Sequence, residues 1–86
     1  MRELERLFKA LANRRRLTII RYLGQNKQAT VGDIAAHLRL SFSATSRHLS
    51  LLASVDLVEN EQRGLQVYYS LSGARQRLLS MLKTIF

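Results

Sequence analysis

Thr30-Val31-Gly32-Asp33-Ile34-Ala35-Ala36-His37-Leu38-Arg39-Leu40-Ser41-Phe42-Ser43-Ala44-Thr45-Ser46-Arg47-His48-Leu49-Ser50-Leu51-Leu52 reads as two short helices with about four residues between them. Thr30 is an N-cap residue type, and Asp33 three positions on comes close to a capping box. Val31, Ile34, Ala35 and Leu38 then recur at helical spacing and point inward. Ser41 and Ser43 are both N-cap candidates for the second helix, expected at about 43–54. That helix turns Leu49, Leu52 and Val55 to the core. The joint, Arg39 to Phe42, has the length of a helix-turn-helix, in which the second helix is the one that enters a groove.

Upstream, Leu4, Leu7, Phe8 and Leu11 form one face of an amphipathic helix over about 2–11. Asn13 suits the N-cap of a second helix, carrying Leu17, Ile20 and Leu23 with Ile19 beside them. Gly24 stands where a left-handed residue commonly ends a helix, and Gln25–Ala29 reads as a polar loop. Downstream, 57–61 and 65–71 read as strands around a turn at Arg63-Gly64. Val67, Tyr69 and Leu71 alternate there with Gln66, Tyr68 and Ser70. The tail from about 74 to 86 reads as a last helix, apolar on more than one face. The expected architecture is mainly α with a β-hairpin, in the order α-α-α-α-β-β-α. A hairpin directly after the groove-entering helix is a wing, spanning about 57–71, so a single winged helix-turn-helix domain covers residues 1–86.

Composition narrows the partner. Fourteen Lys and Arg face six Asp and Glu, a formal net charge of +8, which points to a polyanion. Eleven of the basic residues are Arg, whose planar fork of donors suits phosphates and guanine edges. The chain has no cysteine, which removes disulfides and thiolate metal sites. No apolar run approaches the roughly 20 residues that span a bilayer, and Met1-Arg2-Glu3-Leu4-Glu5-Arg6 lacks a signal peptide's apolar centre. A cytoplasmic location without a membrane partner is the expectation. No nucleophile–base pair or carboxylate pair is recognisable, which argues against an enzyme.

Several of these residues together resemble a known family. Leu11-Ala12-Asn13 through Arg16-Leu17, Leu40-Ser41 with Ser43, Ser46-Arg47-His48-Leu49 with Leu52, Leu57-Val58, Arg63-Gly64 and Val67-Tyr68-Tyr69-Ser70-Leu71 look like the ArsR/SmtB winged-helix repressors. The likeness runs from about Leu7 to Leu71. It implies a homodimer that binds operator DNA and lets go when an effector arrives, though no residue here names the effector. Members that sense thiophilic metals carry a Cys-x-Cys pair where this chain has Thr30–Ile34. Others place Asp, His or Glu ligands on the last helix, where residues 74–86 have none. Metal and redox sensing, and any cofactor, are therefore not expected. Arg39 stands where the family often has glycine. Thr45 replaces a usual valine, so its hydroxyl must find a carbonyl or water.

The candidate DNA contacts are Ser41, Phe42, Ser43, Ser46, Arg47, His48, Ser50, Arg63 and Gln66. Short hydroxyls on the helix can approach bases and phosphates, and Arg47 can reach either. Phe42 can meet a thymine methyl or pack on the preceding helix. His48 suits a structural or phosphate hydrogen bond better than a metal, whereas His37 reads as a solvated helix residue. Arg63 at the hairpin tip, flanked by Gln62 and Gln66, suits a minor groove, or is an ordinary turn charge. Glu59 and Glu61 keep the whole wing from lying on phosphates. Arg14-Arg15-Arg16 put cations at the positive end of a helix, which a phosphate would relieve, or Arg16 pairs with an acid inside the domain. Leu4, Leu7, Phe8, Leu11, Leu78, Leu82 and Ile85 are the candidates for a dimer seam through the terminal helices, with packing inside one subunit as the alternative and the two roles compatible. A repressor on a palindromic operator is the leading expectation; a protein- or RNA-binding module on the same scaffold is the alternative.

Overall fold

The computed structural model describes residues 2–73 together with Ser80 and Lys83. Its elements are α1 (Arg2–Leu11), α2 (Arg14–Asn26), β1 (Ala29–Thr30), α3 (Val31–Leu38), α4 (Phe42–Ser54), β2 (Val58–Arg63) and β3 (Gln66–Leu71). The helix expected over about 74–86 lies outside the described residues, apart from Ser80 and Lys83, which are helical and exposed. Helices α1 to α4 and a three-stranded antiparallel sheet whose hairpin follows α4 make a winged helix-turn-helix.

Local signals start most of these elements. Asn13 Oδ1 accepts from the backbone N–H groups of Arg15 and Arg16 at 3.0 and 3.1 Å, so α2 is capped as its sequence implies. Thr30 and Asp33 form a full capping box at α3. Of the two serines offered for α4, Ser41 is the cap: its Oγ accepts from Ala44 N at 3.0 Å, and α4 begins at Phe42 rather than 43.

Three expectations need correction. Helix α2 does not stop at Leu23: Gly24 is inside it, the helix runs to Asn26, and Lys27 takes the positive φ of 58° at its end. The stretch read as a loop ends in a strand, because Ala29 and Thr30 pair with Tyr69 and Tyr68. That pairing makes β3 the central strand, in the order β1-β3-β2. The wing turn sits at Gly64-Leu65, since Arg63 pairs with Gln66 in the last rung of the hairpin. Gly64 has φ 61° and Leu65 has no positive φ, the pattern of a type II′ turn with glycine first.

One core joins these parts. Leu4, Leu7 and Ala10 of α1, Ile19 and Leu23 of α2, Ile34 of α3, Leu49 and Leu52 of α4, and Leu57, Val58 and Tyr69 of the wing pack in a single cluster. Leu4 and Leu7, offered above as seam residues, are thus buried within the subunit. The wing is anchored at its base: the Ser72 hydroxyl donates to the Asp56 carbonyl, and Ser72 N–H donates to Leu57 O at 3.2 Å.

Candidate nucleic-acid interface

The turn that aims α4 is built on a left-handed residue. Arg39 adopts φ 56°, ψ 44° after α3, and its N–H donates back to Ala36 O at 3.3 Å while Leu40 N–H donates to Ala35 O at 3.0 Å. The lack of glycine there does not change the geometry; an arginine accepts the conformation that glycine would take more cheaply. Thr45, one turn into α4, is fully buried, and its hydroxyl donates to Ser41 O at 2.9 Å. The hydroxyl has found its carbonyl.

With Thr45, Leu49 and Leu52 buried, the other face of α4 is turned outward. Phe42, Ser43, Arg47 and Ser50 are exposed, Ser46 and His48 are half-buried, and the cap Ser41 is exposed beside them. Phe42 is 64% exposed, so it is not packed away on the preceding helix. No acidic side chain occurs on α4, and this face therefore offers donors without a carboxylate to repel phosphate.

His48 lies within electrostatic reach of a second group of cations. Partial burial and the nearby guanidiniums of Arg16, Arg15 and Arg47 hold its pKa below the ordinary 6.5. The start of α2 thus lies near His48 of α4, a proximity that no spacing in the sequence signals. Arg16 is not paired with an acid as expected. Its Nε donates to Ala10 O at 2.5 Å and a terminal nitrogen donates to Lys9 O at 3.3 Å, so it caps the end of α1. His37 is exposed but not simply solvated, because its ring stacks on Tyr22 with centroids 4.4 Å apart.

On the wing, the pairing places Glu59, Glu61 and Arg63 of β2 on the same face as Gln66, Tyr68 and Ser70 of β3. Arg63 reaches Glu61 at 3.0 Å and lies over the Tyr68 ring, 5.0 Å from its centroid. Gln66 is exposed opposite Arg63. Between the wing and α4 runs an open cleft of about 380 Å³. The start of α3, Phe42 and Ser46 of α4, and the wing stretch 65–67 line it. Leu65, absent from the sequence-based candidates, is the most exposed large apolar residue described, and its position became visible only with the turn.

For the seam candidates, Phe8 is 47% exposed and Leu11 half-buried against the core, whereas Leu4 and Leu7 are interior. Leu78, Leu82 and Ile85 lie outside the described residues. Among the described residues no three His, Asp or Glu side chains cluster as a metal site would need. No helix among them is long and apolar enough to cross a membrane.

Comparison with known proteins agrees with this architecture. Residues 13–60 match the family model described as bacterial regulatory protein, arsR family. Transcriptional activator HlyU of Vibrio cholerae is 38% identical over 73 residues, covering 85% of this chain and 67% of that protein. The arsenical resistance operon repressor of Bacillus subtilis is 35% identical over 72 residues, covering 84% of this chain and 69% of that one. Among solved structures, HlyU from Vibrio cholerae superposes with a TM-score of 0.79 at 34% identity, over 96% of this chain and 87% of the other. The homodimeric winged helix-turn-helix DNA-binding domain from Mycobacterium bovis, solved by NMR, gives a TM-score of 0.81 at 33% identity, covering 96% and 77%. The chain belongs to the arsR family of bacterial regulatory proteins, DNA-binding transcriptional regulators rather than enzymes.

Proposed function

We propose that the chain works as a homodimeric repressor on a palindromic operator, with α4 in the major groove and the wing on the adjacent minor groove. The observation that carries this is the acid-free outward face of α4, which bears an exposed Phe42 at its start and Ser43, Ser46, Arg47 and Ser50 along it, beside a hairpin. Phosphate contacts from Ser41, Ser43 and His48 would set register, and Arg47, Ser46 and Phe42 are the residues able to read base edges. Arg63 and Gln66 serve the wing. In this reading α1 contributes Phe8 and Leu11 to the seam, and Leu78, Leu82 and Ile85 complete it. The Mycobacterium bovis relative is a homodimer, which supports the same assembly here.

The release signal is neither a thiophilic metal nor a thiol oxidation. The sequence contains no cysteine, and the described His, Asp and Glu residues are dispersed. A duplex selected from a random pool by the protein itself tests the whole reading. With about 6–10 phosphates neutralised, affinity should fall roughly 10³–10⁵-fold between 50 and 200 mM salt. Arg47→Ala should weaken binding and, if Arg47 holds a phosphate, lower the salt slope by about one. Affinity indifferent to salt, or a tenfold change on adding zinc after chelation, would overturn the corresponding part.

A further inference from the structure

Leu65 occupies the position that the sequence assigns to a strand and the structure assigns to the end of the wing. It is 102% exposed, the extreme value for a large apolar side chain among the described residues. Phe8 and Leu17 are about half exposed on helix surfaces. Leu65 instead stands fully exposed on a two-residue turn. The turn is held from both sides: Arg63 and Gln66 close the hairpin, Gly64 takes the positive φ, and the Gln62 side-chain amide donates to Gly64 O at 3.3 Å. The tip is therefore a short, braced mount for one branched apolar group.

Arg63, the residue whose charge first suggested groove insertion, is drawn back along β2 by Glu61 and by the Tyr68 ring. It sits behind the tip. Leu65 borders the same cleft as Phe42 and Ser46, so tip and reading face open toward one side of the molecule. A duplex whose major groove receives α4 would present its adjacent minor groove to that tip.

We infer that Leu65 is a wedge: it enters the minor groove beside each half-site, partly unstacks one base step and bends the duplex toward the major groove. The physical basis is that an apolar side chain gains by leaving water for the faces of two bases. The energy spent on unstacking returns as added contact along the bent duplex. Flexible pyrimidine–purine steps deform most easily, so the wedge would add specificity at a position that no polar side chain reads. This inference rests on the DNA-binding reading above, and the measurements separate the two.

The probe is the selected duplex, with a donor–acceptor dye pair at its ends and 2-aminopurine placed in turn at each step flanking the half-sites. Wild-type protein should shorten the end-to-end distance and brighten 2-aminopurine at one step per half-site. Leu65→Ala and Leu65→Ser should abolish both signals and weaken binding about tenfold or more, while leaving the salt slope and the thermal melt unchanged, because Leu65 touches no phosphate and no core. Leu65→Met should keep both signals. Wild-type binding with a straight duplex and no brightened step overturns the wedge and leaves the DNA-binding reading standing, as does a Leu65→Ala protein that bends the duplex like wild type. Failure to select any duplex overturns both.

Discussion

His48 shows how one residue couples the reading helix to the rest of the subunit. Its imidazole is partly desolvated and feels the charges of Arg16 and Arg15 at the start of α2 as well as of Arg47 on its own helix. Each of these disfavours the imidazolium, so the folded pKa lies below the ordinary 6.5. A depressed folded value means the fold prefers the neutral ring. The stability this contributes is fully present above the unfolded pKa and is lost as pH falls through the folded one. Urea unfolding of the wild type should therefore show lower stability at pH 5.5 than at pH 7.5, with a shallower fall in His48→Gln. Parallel losses in the two proteins would remove His48 as the titrating group. The outward placement of Arg47 beside a buried Leu49 was legible from helical spacing; the cations near His48 were not, because they arrive from residues some thirty positions away through packing.

At the scale of elements, the α3–turn–α4 unit is the part most completely written in local signals. Thr30, Asp33 and Ser41 cap as their types require, since each satisfies an N–H that helix geometry leaves open. The turn itself carries a cost. Arg39 sits at φ 56°, a conformation that costs a residue bearing a Cβ about 1–2 kcal/mol; glycine would remove that cost but give part of it back through its greater unfolded-state freedom. Arg39→Gly should thus raise stability by up to about 1 kcal/mol, seen as a gain of several degrees in Tm. A lower Tm would mean that the arginine side chain makes a contact worth more than the strain. The wing illustrates the opposite case. Its strands follow from alternation, but the turn shifted by one residue, because a two-residue connection with glycine first matches the strand twist better than one centred on Arg63-Gly64. That shift moves Arg63 into a strand and puts Leu65 at the tip.

For the whole molecule the question is how a thin core is completed. Leu4 and Leu7 are consumed by the subunit's own interior, leaving Phe8 and Leu11 as the part of α1 able to face a partner. Burying a side chain such as Phe8 in a second copy contributes on the order of 1.5–3 kcal/mol before the entropic cost of association. In the proposed dimer on a palindromic operator, pairing would set two copies of α4 roughly 34 Å apart, one turn of DNA, which a single subunit cannot do. Phe8→Glu should leave the subunit folded by circular dichroism, shift sedimentation at micromolar concentration from dimer to monomer, and cost affinity for a two-half-site duplex far more than for a single half-site. Wild-type protein that sediments as a monomer would end the dimeric reading. Leu7→Glu is the contrasting change: at 1% exposure its charge would be buried, and the chain should unfold rather than dissociate.

What the sequence determined by itself was whatever depends on near neighbours. Helical spacing, N-caps, the length of the joint before α4 and the two-residue alternation of the wing are local, so they give the winged helix-turn-helix and the outward face of α4 directly, and the absence of cysteine excludes thiol chemistry. What the tertiary structure decided was everything set by partners distant in the chain. Gly24 stays helical where its φ-permissiveness suggested an end, Ala29-Thr30 becomes a strand only because Tyr68 and Tyr69 come alongside, and Arg16 finds the carbonyls of α1 instead of an acid. Leu65 belongs to the same class. Its exposure follows from the register between β2 and β3, and register is chosen by which face of the hairpin buries Val58 and Tyr69, a choice made by the core and not by the residues of the turn.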